Sequence, residues 1–155
     1  MGSGIVGIYG FSNLWRMARF VYYALLALQH RGQETCGIVT YNGDGELYDY
    51  KASGLVDQVF SQPESLDRLK GWVGIGCVTT IPEKDPARIQ PALVEGPVKT
   101  ALCFDGKILN VKRLLEKVKP LEPRSEAELL ALLLAQKLDS GLHPIEAASQ
   151  LMGEV

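Results

Sequence analysis

The first thirty residues limit the possible folds more than any other part of the chain. Residues 4–9 (GIVGIY) alternate small and β-branched side chains and end at Gly10, the pattern of a short buried strand followed by a turn. Downstream, Leu14, Met17, Phe20, Val21, Ala24, Leu25 and Leu28 recur three and four apart, so a helix over 14–29 has one apolar face. Ser12 or Asn13 can cap it, because their short side chains accept hydrogen bonds from first-turn amides. A buried strand joined to an amphipathic helix needs a core shared between them, and therefore a packed domain.

The rest of the chain extends this pattern. Residues 35–41 are β-rich, Asn42-Gly43-Asp44-Gly45 signals a turn, and residues 46–51 alternate again, which predicts an antiparallel hairpin. A short helical or looped excursion over 54–60 and a helix from Pro63 to about residue 69 precede a strand over 72–79. Residues 81–96 are rich in proline and charge and read as a long surface loop. A strand over 99–105 leads to a helix capped by Asn110 and running through Val118. Ser125 and Glu128 form a capping box for a helix to about residue 138, and Pro144 opens a last helix to about Met152. Strands with helices between and after them give an α+β fold with antiparallel sheet, and 155 residues fit a single domain over 1–155.

Composition narrows the function classes. Sixteen basic and eighteen acidic residues leave a net charge of −2, which offers no broad attraction to nucleic acid or to anionic membranes. The apolar runs are far shorter than the roughly 20 residues of a bilayer span, and residues 1–10 do not read as a secretory signal, so the expected location is the cytoplasm. Three widely spaced cysteines, Cys36, Cys77 and Cys103, argue against a disulfide framework. With His30 and His143 as the only histidines and no metal spacing, no zinc site is expected.

Two segments carry a specific likeness. GIVGIYG (residues 4–10) and YYALLALQHRGQETCGIV (residues 22–39) resemble the glutaminase domain of the glutamine phosphoribosylpyrophosphate amidotransferases, a class II glutamine amidotransferase family. KASGLVDQVF (51–60) and IQPALVEG (89–96) are similar to further segments of that family in the same order. The resemblance implies an Ntn-hydrolase-like αββα sandwich of antiparallel sheets, here left incomplete at the C-terminal end, without cofactor and without the transferase domain that follows in the family.

The same resemblance assigns site positions. In the family a terminal cysteine attacks the glutamine amide, with its own α-amino group as base. Ser3 occupies that place behind Met1 and Gly2, so the nucleophile is changed and is also blocked unless the chain is cut between Gly2 and Ser3. HRGQETCGI (30–38) puts Arg31 and Gly32 where the family shapes its glutamine pocket. Read structurally, Gly32 permits a turn and Arg31 pairs with Glu34. GIGCVTTIP (74–82) puts Thr79 in place of the arginine that forks onto the substrate carboxylate, and Cys77, expected to be buried and inert, in place of a histidine.

CFDGKILN (103–110) puts Asp105 and Gly106 at the oxyanion-hole positions, where a carboxylate has no proton to donate; as residues alone, Asp-Gly is a tight-turn pair. PRSEAELL (123–130) puts Glu126 where an aspartate takes the substrate's amino group.

Simultaneous change of nucleophile, carboxylate anchor and oxyanion donor predicts a divergent, catalytically impaired binding or regulatory subunit with weakened glutamine binding. Its partner would be a separate phosphoribosyltransferase-type chain or further copies of itself. Two alternatives stand beside this one: an active glutaminase subunit supplying ammonia to a separate transferase chain, and a structural oligomerisation module.

Overall fold

The structure is a computed structural model that describes residues 2–12 and 15–155. The predicted first strand forms as β1 (Ser3–Tyr9). The helix begins later than its apolar spacing suggests: α1 is Met17–Leu28 and passes into a turn of 3₁₀ helix at Gln29–Arg31. Arg16 holds the N-cap position without a side-chain cap bond, so Ser12 does not cap this helix, while Asn13 and Leu14 lie outside the described residues. Met17, Ala18, Val21 and Leu25 are its buried face, whereas Phe20, expected on that face, is exposed.

The hairpin forms as β2 (Thr35–Tyr41) and β3 (Leu47–Ser53), with Gly43 and Gly45 at positive φ in the turn. Two short helices, α2 (Val56–Val59) and α3 (Pro63–Asp67), cross to β4 (Val73–Thr79). These strands make one antiparallel sheet in the order β1-β4-β2-β3. α1 covers one face of it. A Cβ on Gly76 would run into Val21 and Leu25 of that helix, and Cys36, Ile38 and Val78 join the same apolar cluster. Burying a large aliphatic side chain such as Leu25 or Ile38 is worth about 1.5–3 kcal/mol.

The opposite face meets the segment expected to be a surface loop. Residues 81–96 in fact contain a 3₁₀ turn at Pro86–Arg88 and a strand, β5 (Ala92–Val94), paired antiparallel with β6 (Thr100–Leu102). Ile89, Ala92 and Val94 are buried there, which is why this stretch packs inward despite its prolines and charges. β6 is shorter than the strand predicted over 99–105.

Three helices follow: α4 (Val111–Val118), α5 (Glu126–Asp139) and α6 (Pro144–Met152). Asn110 precedes α4 but its side chain does not cap it. Its amide donates to the Glu154 carbonyl, and its Oδ1 is buried without a partner. Ser125 does cap α5, accepting from the Glu128 amide, while Glu128 reaches back to the amide of Arg124 and not to that of Ser125.

Ala127, Ala131 and Ala135 of α5 lie against Ala92 and Val94, where small side chains let the helix sit close to the two strands. The layers therefore run α1, four-stranded sheet, two-stranded sheet, α5. This is the expected α+β order, with a second sheet of two strands among the described residues.

Candidate functional site

Five of the seven predicted site residues line one cavity of about 680 Å³: Ser3, Thr79, Asp105, Gly106 and Glu126. β1 and β4 bring the first two together, since Ser3 and Thr79 are register partners. The chain leaving β6 supplies Asp105 and Gly106, and the start of α5 supplies Glu126. The Ser3 hydroxyl has no hydrogen-bond partner among the described residues, whereas the Gly2 carbonyl accepts from Thr80 at 3.2 Å. Gly106 has φ +156°.

Arg31 and Gly32 stand behind this wall. The Arg31 Nε donates to the Ser3 carbonyl at 3.3 Å, and its guanidinium lies 3.9 Å from the Asp105 carboxylate. Arg31 therefore pairs with Asp105, not with Glu34 as its position three residues along suggested. Gly32 is extended, at φ −166°, so a special turn is not its role. A Cβ there would fall 2.5 Å from the Thr79 backbone, so glycine is needed for the close approach of residue 32 to β4.

Thr79 is 4% exposed and its hydroxyl is fully engaged. It lies 2.7 Å from the Thr35 hydroxyl, donates to the Ile81 carbonyl at 3.3 Å and accepts from the Ile81 amide at 3.2 Å. Thr35 is the partner the sequence did not single out; its place as the first residue of a β-rich run was the available signal. Glu126 likewise has a partner, accepting from the Ile108 amide at 3.2 Å.

The remaining charges on the cavity wall were also not singled out. Glu83, Arg88, Lys107 and Arg124 all line it. Arg88 is loosely held by Glu83 and Asp85 at 4.0 and 3.9 Å, and no anionic partner faces Lys107 among the described residues. Arg124 forks onto Glu128 at 2.8 and 3.1 Å. Burial of the Glu128 carboxyl works against its charge, but the hydrogen bonds from Arg124 outweigh it and hold the group below the ordinary carboxylate range. Gln90 clamps the far wall, its side chain accepting from the Phe104 amide at 2.7 Å and donating to the Phe104 carbonyl at 3.0 Å.

Two thiols sit beside the site. Cys77 is fully buried, as expected, and Cys103 is half-buried. Hydrogen bonding with Cys77 and then burial push the Cys103 thiol up. Burial likewise pushes Cys36, on the helix-covered face of the sheet, up to about 12.

Amidophosphoribosyltransferases from several organisms match this chain. That of Methanothermobacter thermautotrophicus is 39% identical over 143 residues, covering 88% of the chain and 30% of its own length. That of Escherichia coli is 33% identical over 149 residues, covering 91% of the chain and 29% of its own length. The chain belongs to the amidophosphoribosyltransferase family. It spans less than a third of the length of these relatives, and no family model matches it.

Solved structures agree with this membership. Glutamine phosphoribosylpyrophosphate amidotransferase from B. subtilis, complexed with ADP and GMP, superposes with a TM-score of 0.78 at 27% identity, over 99% of this chain and 33% of its own. A structure described as the allosteric regulatory enzyme of purine biosynthesis gives a TM-score of 0.80, also at 27% identity, over the same shares. The α+β fold with its antiparallel sheets is thus the fold of this family's solved members. No helix among the described residues is long and apolar enough to cross a membrane, and these residues hold no cluster of metal-ligating side chains.

Proposed function

We propose that this chain is a glutaminase-type domain of purine biosynthesis whose own glutamine hydrolysis is impaired, and that its fold serves as a binding or regulatory unit. The observation that carries this reading is the closed hydrogen-bond set of Thr79 with Thr35 and Ile81. In the family resemblance this position belongs to an arginine that holds the substrate carboxylate. Here it offers one hydroxyl, already satisfied inside the protein, and no charge.

Asp105 supports the same reading. A carboxylate paired with Arg31 cannot donate to a developing oxyanion, and the loss of one such donor costs on the order of a hundredfold in rate. What remains is a cavity with cationic and anionic side chains on its wall, suited to holding a small polar molecule without turning it over.

The test is ammonia release from glutamine by the purified chain, run beside an intact amidophosphoribosyltransferase. The expected rate is indistinguishable from the uncatalysed background. A rate within tenfold of the intact enzyme would overturn the proposal.

A second reading, an active subunit passing ammonia to a separate transferase chain, is favoured by one observation: the Ser3 hydroxyl opens on the cavity without a partner among the described residues. It requires Ser3 to be the first residue. Intact mass of the purified protein decides that point, because a chain retaining Gly2 leaves Ser3 without the free amine the mechanism needs.

A further inference from the structure

We propose that β1 is a homodimer seam: two copies of this chain pair antiparallel along it, about a two-fold axis at Val6, and join their four-stranded sheets into one continuous sheet. β1 ends the order β1-β4-β2-β3, and no strand among the described residues pairs with its outer side. Edge strands are normally guarded by charge or proline. β3, at the other edge, carries Asp49 and Lys51, whereas the seven residues of β1 (SGIVGIY) hold neither a charge nor a proline.

Backbone direction fixes which groups this edge offers. The Gly10 amide donates to the Trp72 carbonyl at 2.7 Å and the Gly2 carbonyl accepts from the Thr80 hydroxyl at 3.2 Å, so the even-numbered residues turn toward β4. Alternate residues of a strand turn their N–H and C=O to opposite edges, which leaves Ser3, Ile5, Gly7 and Tyr9 facing outward. The Arg31 Nε agrees, reaching the Ser3 carbonyl at 3.3 Å. Ile5, Gly7 and Tyr9 are all exposed, Ile5 at 43% and Tyr9 at 61%.

Among the registers a two-fold axis allows, only one centred on Val6 uses every outward residue of both copies. Ile5 then exchanges hydrogen bonds with the partner's Gly7, and Ser3 with the partner's Tyr9, the Ser3 carbonyl having a second lone pair beyond the one Arg31 takes. Each large side chain meets a small one in this register. A Cβ on Gly7 would touch only the Ile75 side chain, at 3.8 Å, so there is room above it for the partner's Ile5. With no charge on β1, the two copies approach without repulsion. Ser3 lines the cavity and shares a face of the strand with Tyr9, so the partner's Tyr9 lies beside Ser3 and each copy contributes a side chain at the other's site. The seam is independent of the proposed function and holds whether or not the cavity turns glutamine over.

Light scattering on the purified full chain, eluted from a sizing column over a range of concentrations, should give the mass of a dimer. Ile5→Lys, at an exposed position, puts a charge into the seam and should give a monomer with an unchanged circular dichroism spectrum. Val6→Cys sets a thiol opposite its own copy in a non-hydrogen-bonded pair, where Cα atoms stand about 4.5 Å apart, within the span of a disulfide. Mild oxidation should therefore link the Val6→Cys variant into a covalent dimer and leave the wild type unlinked, despite its own Cys36, Cys77 and Cys103. In wild-type amide exchange, Ile5, Gly7 and Tyr9 should gain protection as concentration rises, while Val6 and Ile8 are protected throughout. A wild type that is monomeric at every concentration, its odd-numbered β1 amides exchanging freely, leaves the edge to another chain and overturns the proposal. So does a dimer that survives Ile5→Lys and gives no Val6→Cys link, because its seam lies elsewhere. The wild-type exchange pattern decides the matter even if a variant does not fold.

Discussion

The floor and the rim of the cavity differ in how each holds its polar residue. On the floor, Thr79 is buried and its hydroxyl is locked to Thr35 and Ile81. On the rim, Asp105 is 37% exposed and held by one long contact to Arg31 at 3.9 Å. The floor has become part of the protein's interior and depends on complete hydrogen bonding. The rim remains in water, where a charge costs little and an ion pair contributes little. An arginine is therefore hard to accommodate at the floor, whereas the aspartate at the rim can be exchanged freely.

The strongest attempt to break this contrast is Thr79→Arg. It forces a guanidinium into a space that is 4% exposed and strands the Thr35 hydroxyl, and the expected loss is about 3–5 kcal/mol in urea unfolding. If the variant is as stable as wild type, the floor is not the closed structure described.

Next in size is Thr35→Val, which removes one hydrogen-bonding partner and leaves Thr79 short, for about 1–2 kcal/mol. The double variant Thr35→Val with Thr79→Val should lose clearly less than the sum of the two single changes, because it leaves no orphaned hydroxyl. Strict additivity in that cycle would show that the two hydroxyls do not interact.

Glu128, with a side chain 14% exposed, lies between floor and rim. Its carboxyl is held below the ordinary value of 4.5, so its stabilisation is fully present above that pH and is lost as pH falls through the folded-state value. Glu128→Gln should cost about 0.5–1 kcal/mol at neutral pH and flatten the decline of stability on acidification. An unchanged acid limb would mean that other carboxylates govern it.

Smallest of all should be Asp105→Asn. A change within about 0.5 kcal/mol, insensitive to added salt, is expected at the rim. A larger, salt-dependent change would show that the Arg31 contact is a structural pair and move Asp105 to the floor's side of the comparison.

Much of the fold was legible because periodicity is local. The alternation in β1 and the hairpin, the apolar spacing of α1 and the Ser125 cap each depend on residues within a few positions of one another. Where the reading missed, the deciding partner was distant. Residues 81–96 read as surface loop because their prolines and charges hide Ala92 and Val94, which are buried only when β6 and α5 arrive. Local sequence offers Arg31 only Glu34 as a neighbour of opposite charge, yet its partner is Asp105.

By itself, then, the sequence determined the strands of the larger sheet, the helices, the family and the positions to inspect, because each of these is written in short-range pattern or in motif. The tertiary structure decided what those positions do. Strand register set Ser3 beside Thr79 and Thr79 beside Thr35, and the approach of the second sheet set Asp105 over Arg31. A hydroxyl is a ligand or a sealed core group according to what faces it across the fold, and no local pattern records that.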